Sequence, residues 1–227
     1  MSGIRGTAAR FIPEAWRAPA IIESRPGVAE PLLALTFDDG PSAWTDPILD
    51  LLAEGSAKAT FFVLGVSIAG NEDVLRRIVT DGHELGNHTQ SHLDPASITD
   101  EALIDELRWA AEAIAATVGR APRLVRPPYG GDPRRVSRAA RAIGAGPVIM
   151  RSVDPADWQH REAGPIVEHV LDHARPGSII DLHDGIPPEN NGAPSRQATV
   201  DAVAKLVPAL QLRGFRFVTV SDLLAAP

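Results

Sequence analysis

The sequence predicts an α/β protein whose parallel strands close into a barrel, and two observations lead there. From Leu32 onward, short apolar runs alternate with helical patterns, the mark of repeated β/α units. Unusual polar residues then recur at strand ends: Asp38 and Asp39 after the first strand, His88 and His92 after the third, Arg126 and Tyr129 after the fourth, Asp154 and Asp157 after the fifth, and His183 at the close of the sixth. A closed barrel brings its C-terminal strand ends to one mouth, where barrel enzymes place their chemistry. An open doubly wound sheet would scatter them.

Residues 1–31 carry Pro13, Pro19, Pro26 and Pro31 without sustained periodicity and read as an irregular arm, with 32–227 as one domain. Strands are expected at 32–37 (LLALTF), 59–65 (ATFFVLG), 83–87 (HELGN), 123–127 (RLVRP), 146–153 (GPVIMRSV), 177–183 (GSIIDLH) and 216–220 (RFVTV). The first helical pattern, 46–55, opens with Pro47 in its first turn and stops at Gly55. The longest, 97–118, begins with a capping-box spacing from Ser97 to Asp100 and stops at Gly119. A third starts at Ser195 and meets Pro208, which is expected to kink or restart it.

Composition narrows the function. With 227 residues, 44% hydrophobic and carrying a net charge of −7, the chain can bury a large core, and its dispersed Arg residues form no basic stripe for a nucleic acid. It has no cysteine, so any metal must be held by His, Asp or Glu. The first residues lack an apolar stretch of signal-peptide length, and no window approaches a membrane span, so a cytoplasmic location without a membrane partner is expected.

Adjacent carboxylates at a strand end repel, so Asp38 and Asp39 need a neutralising partner. His88 and His92 supply one: four residues apart, they fall on one side of a helical turn and can chelate one metal. Two imidazoles and Asp39 make a three-ligand set with positions left open, which leaves Asp38 free as a base beside bound water. Arg126 can hold Asp38 ionised through a paired hydrogen bond, or else form a rim salt bridge. After the stiff Pro127–Pro128 step, the Tyr129 backbone N–H is fixed well enough to face an oxyanion. Asp154 suits a turn cap as well as a site, and Trp158 suits the core as well as a site wall. Strand alternation puts Ile179, Asp181 and His183 on one face, with His183 placed to protonate a leaving group.

In order along the chain, TFDDGP (36–41), HTQSH (88–92), RPPYG (126–130), DPADW (154–158) and LHD (182–184) resemble the five motifs of the carbohydrate esterase family 4 polysaccharide deacetylases, the NodB homology domain. The late segment beginning at His183 is similar to the NodB-type chitooligosaccharide deacetylases. The resemblance implies a distorted (β/α)7 barrel around one divalent metal held by Asp39, His88 and His92. Zinc comes first, and the same donors accept cobalt, nickel or manganese. Asp38 would be the general base oriented by Arg126, and His183 the general acid tuned by Asp157. The Tyr129 N–H would serve the oxyanion, and Trp158 and Pro128 would border the substrate.

The implied reaction is hydrolysis of N-acetyl groups on N-acetylglucosamine units of a chitooligosaccharide or related polysaccharide. Peptidoglycan N-deacetylation and O-deacetylation of the acetylxylan type are the alternatives with the same site. One position departs from the family pattern: Asp181 stands where an apolar residue, usually Leu, borders the acyl pocket. A carboxylate there needs a partner, for which Arg126 is the candidate, or a raised pKa.

Overall fold

A computed structural model of the chain describes residues 20–190 and 192–227. At its centre is β2 (Leu32–Asp38), buried along its whole length, as befits a parallel strand covered on both faces. It is flanked by β3 (Ala59–Val63) and β7 (Ile179–His183). Beyond β3 follow β4 (Glu84–Asn87), β5 (Leu124–Val125), β6 (Val148–Ile149) and β1 (Ile21–Ile22), all parallel, so the sheet order is β1-β6-β5-β4-β3-β2-β7. The ring closes on β7 through Ser152 and Val153: Val153 bridges Ile180, and the Asp181 N–H donates to the Val153 carbonyl at 2.9 Å. This is the expected parallel barrel, distorted where a bridge replaces a full strand.

Three differences from the sequence reading have physical causes. The apolar run 146–153 is split: its first part pairs with β5 and β1, and its end crosses to β7. The last expected strand shrinks to β8 (Arg216–Phe217), which pairs only with the foot of β2, because Thr219 caps helix α7 (Val220–Ala225) by accepting from the Asp222 N–H. β7 instead pairs directly with β2, and the sheet gains β1 beside β6 from the other end of the chain, inside the segment read as irregular; residues 1–19 of that segment lie outside the described residues.

Helices α1 (Thr45–Glu54), α2 (Glu72–Thr80), α3 (Asp100–Val118), α4 (Pro133–Ala142), α5 (Ala163–His173) and α6 (Gln197–Leu212) cover the barrel. The main core lies between the sheet and several of these helices and contains Phe37 stacked on Phe61 at 5.0 Å. Helix α3 is capped by Thr99, whose hydroxyl accepts the Ala102 N–H, rather than by Ser97, which belongs to a preceding 3-10 turn capped by Asp94. It ends at Gly119 in the left-handed conformation, as the sequence indicates. No helix among the described residues is long and apolar enough to cross a membrane.

Helix α6 runs unbroken through Pro208, against expectation. Pro208 and Ala204, whose carbonyl loses its helical donor, both face solvent, while Val203, Leu206, Val207 and Leu210 anchor the buried side. The apolar stripe on the buried side holds the helix through the proline. Pro208→Ala is expected to stabilise the protein by about 1–2 kcal/mol, the restored hydrogen bond outweighing the greater freedom of the unfolded chain. Urea unfolding of the two proteins measures it.

Candidate active site

The site begins where β2 ends. Asp38 is the last residue of the strand and is the register partner of His183 on β7. The chain then turns through Asp39, held at a φ of 75°, into Gly40. A Cβ at Gly40 would fall 2.2 Å from Asp184 Oδ2, so only glycine fits; its N–H donates to Asp184 Oδ1 at 3.1 Å, and the Thr45 hydroxyl donates to Oδ2 at 2.6 Å. Asp184 thereby fixes the turn that aims Asp39.

His88 follows β4 directly, but the four-residue spacing to His92 is achieved by a loop and not by a helical turn. Thr89 and His92 adopt positive φ, and the loop is tied by Asn87, which accepts the Thr89 N–H at 2.8 Å, and by Glu106 of α3, which accepts the Ser91 N–H and hydroxyl at 2.8 Å each. His88 Nδ1 lies 2.9 Å from the Arg126 carbonyl. A carbonyl only accepts, so Nδ1 carries the proton and Nε2 is left bare.

The bare nitrogens converge. His92 Nε2 and His88 Nε2 stand 3.3 and 3.5 Å from Asp39 Oδ1, an oxygen that is buried and has no hydrogen-bond partner. Burial, reinforced by the Asp38 charge, pushes Asp39 up to about 8. Burial also pushes His88 down to about 3 and lowers His92, so both rings are neutral. Asp39, His88 and His92 form a buried cluster whose ligand atoms lie within 4.8 Å of one another. Ligands about 2.1 Å from one tetrahedral ion stand about 3.4 Å apart, so the donor set and its spacing fit a divalent metal.

Arg126 is the other organising group. One nitrogen, Nη1, donates to Thr36 Oγ1 at 2.7 Å, Asp38 Oδ1 at 2.8 Å and Asp181 Oδ1 at 2.7 Å. Nε and Nη2 donate to the Ile149 and Met150 carbonyls at 3.2 and 3.0 Å, and the guanidinium lies 4.2 Å over the Phe62 ring. One cation thus serves two buried carboxylates, and they part company. Burial would raise Asp38, but the charges of Arg126 and His183 hold it below the usual carboxylate range. Burial and the Asp38 charge push Asp181 up to about 7, although Arg126 and Arg151 both reach it. Asp181 therefore has the partner expected for it and the raised pKa as well.

On the far wall, His183 Nδ1 is 2.7 Å from Asp157 Oδ1, while Asp157 Oδ2 accepts the His183 N–H at 2.9 Å and the Thr199 hydroxyl at 2.6 Å. Burial alone would lower His183; the Asp157 charge and hydrogen bond, with Asp39 and Asp181, overcome it and hold the ring up at about 10. These groups face a cavity of 760 Å³. Trp158 and Tyr129, 44% and 56% exposed, stand on its rim. Pro127, rather than Pro128, lines the wall: Pro128 is buried, with its carbonyl taken by the Gly131 N–H. Tyr129 is left-handed at a φ of 58°, and its hydroxyl donates to Glu189.

Several site residues were not visible in the sequence. Arg151 lines the cavity and is held by Asp154, Nε–Oδ2 at 2.7 Å; Asp154 also caps its turn as the sequence suggests, accepting the Ala156 N–H at 2.8 Å. Buried Arg196 donates to the carbonyls of Gly185, Trp158 and Pro194 and so ties the wall together. Thr36, Thr199 and Glu189 carry no local signal; each acts only through a partner distant in sequence.

A carboxylate and an imidazole on either side of a cluster that fits a divalent metal are the groups a metal-assisted hydrolase needs. Comparison with known proteins sharpens that class: residues 26–148 match the polysaccharide deacetylase family model, and the chain belongs to that family. A chitooligosaccharide deacetylase of a Bradyrhizobium species is 42% identical over 187 residues, 80% of this chain and 85% of the relative. A peptidoglycan-N-acetylglucosamine deacetylase of Bacillus cereus is 38% identical over 197 residues, 86% and 89% of the two chains. A solved peptidoglycan N-acetylglucosamine deacetylase matches with a TM-score of 0.82 at 34% identity, covering 92% of this chain and 94% of the other.

The His183–Asp157 pair makes stability depend on pH in a definite direction. Between about pH 6.5 and about 10 the folded protein keeps the His183 proton and the unfolded chain gives it up, so stability falls as pH rises through that window. On metal-free protein, urea unfolding at pH 7 and pH 9.5 is expected to show a loss on the order of 3 kcal/mol. Asp157→Asn, which removes the charge that holds the proton, is expected to start less stable and to lose much less over the same interval.

Proposed function

We propose that this protein removes N-acetyl groups from N-acetylglucosamine units of a chitooligosaccharide or a related polysaccharide, releasing acetate and leaving a free amine. One observation carries the reading: an ionised carboxylate, Asp38, and an imidazolium, His183, face each other across adjacent strands beside the Asp39–His88–His92 cluster. Asp39, His88 and His92 would hold one divalent ion, zinc first, which would supply the Lewis acidity that activates water and polarises the acetyl carbonyl.

Asp38, kept ionised by Arg126, takes the proton of the attacking water. The Tyr129 N–H, fixed by its left-handed turn, donates to the oxygen of the tetrahedral intermediate. His183 gives its proton to the departing nitrogen, and Asp157 keeps the ring oriented and charged for that step. Trp158 offers an apolar face to a sugar ring at the cavity rim. Arg126 and Arg151 both reach Asp181, so the floor beside this machinery is polar, and an acyl group meets charge where the family pattern has an apolar residue.

The test is acetate release from chitin oligomers of two to six units by metal-stripped protein, with and without added zinc or cobalt. Release that requires the ion is expected. No release from any oligomer in the presence of the ion would overturn the chitooligosaccharide reading and move the substrate to peptidoglycan or an acetylated xylan. Asp38→Asn and His183→Ala are each expected to lower turnover roughly a hundredfold or more while the protein still binds zinc. An ester substrate would be recognised by turnover that survives the loss of His183, because an alkoxide leaves with less assistance than an amine.

A further inference from the structure

We propose that Glu189 is a positioning residue for the metal pocket, setting the ring of His92 so that its Nε2 faces Asp39; the inference rests on the metal-dependent reading above. The two imidazoles of the pocket are held differently. His88 is fixed by a backbone carbonyl, that of Arg126, which no substitution removes. His92 Nδ1 instead meets a side chain, Glu189 Oε1, at 2.5 Å.

Little else sets the rotation of the His92 ring. The residue lies in a loop at a φ of 62°, outside any helix, and its other ring neighbours are His88 at 5.2 Å and the edge of Tyr129 at 4.6 Å between centroids. Glu189 is itself anchored, because the Tyr129 hydroxyl donates to the same Oε1 at 2.5 Å. A hydroxyl has one proton to give, and the carboxylate receives it, so the His92–Glu189 contact needs its proton from Nδ1. Glu189 meets both groups as an acceptor, through the same Oε1. The tautomer follows: Nδ1 protonated, Nε2 bare and 3.3 Å from the orphaned oxygen of Asp39.

Glu189 comes from a 3-10 turn, Pro188–Asn190, in the segment after β7, and reaches a ligand 97 residues earlier in the chain. It thus joins the C-terminal segment to a pocket whose ligands all belong to the first half of the sequence. Carboxylates that accept from the far nitrogen of a ligating histidine tune metal affinity by about 10- to 100-fold.

The experiment is zinc titration of metal-stripped protein against a chromogenic chelator, comparing wild type, Glu189→Ala and Glu189→Gln, with thermal unfolding of each metal-free protein alongside. Glu189→Ala is expected to weaken zinc binding by about 10- to 100-fold, and Glu189→Gln, which keeps an acceptor oxygen, to recover most of it. The Glu189 side chain is 39% exposed, so unfolding of the metal-free proteins is expected to be unchanged. Wild-type affinity in the Ala variant would overturn the inference, as would an equal loss in both variants, which would assign the effect to packing of the turn. A wild-type protein that bound no zinc would overturn the metal reading itself, a result told apart by its appearance before any substitution is made.

Discussion

The guanidinium of Arg126 is the group on which the rest of the structure turns. It is 2% exposed, and its nitrogens reach β2 through Thr36 and Asp38, β7 through Asp181, and the strand end at Ile149 and Met150, so that one buried cation cross-links three sides of the barrel mouth. Thr36 passes the connection on, since its hydroxyl donates to the Ile180 carbonyl at 2.7 Å while accepting from Arg126. Even the space beneath is shaped for it: Phe62, on which the guanidinium rests, fits only because Gly86 has no Cβ, which would come within 2.3 Å of the ring. Charges so deeply buried are tolerated only when every one is matched, and breaking such a network typically costs about 3–5 kcal/mol. The same requirement that keeps the mouth together keeps Asp38 ionised.

Much of this was legible in the sequence, for reasons that are themselves physical. Parallel strands covered on both faces need continuous apolar runs, and LLALTF and ATFFV announce β2 and β3 without ambiguity. Polar residues interrupting such runs at their C-terminal ends had to serve one shared place, so the grouping of Asp38, Asp39, His88, His92, Arg126 and His183 followed from the barrel alone. The unpaired look of Asp181 was also informative, because a carboxylate on an inward face demands a cation, and β7 brings it to Arg126 and Arg151.

What escaped the sequence depends on contacts between distant segments. Two residues, Ile21 and Ile22, make a strand only because the edge of β6 awaits them, and no local periodicity marks so short an element. The division of 146–153 between two neighbours reflects the geometry of closure, which a run of apolar residues does not encode. The spacing of His88 and His92 suggested a helix, whereas the loop reaches the same end with left-handed residues stabilised by Asn87 and Glu106. Pro208 was judged by its effect on an isolated helix, and the apolar face of α6 overrode it.

The register of β2 against β7 bears on how the protein comes into being. Asp39, His88, His92 and Arg126 all leave the ribosome well before Asp157 and His183, and Asp38 lies on a strand whose partner on one side is among the last to be made. The whole Asp39–His88–His92 cluster is therefore synthesised before His183. The facing of Asp38 and His183 exists only once β7 has paired with β2, so a single strand pairing late in the chain brings the two walls of the cavity together.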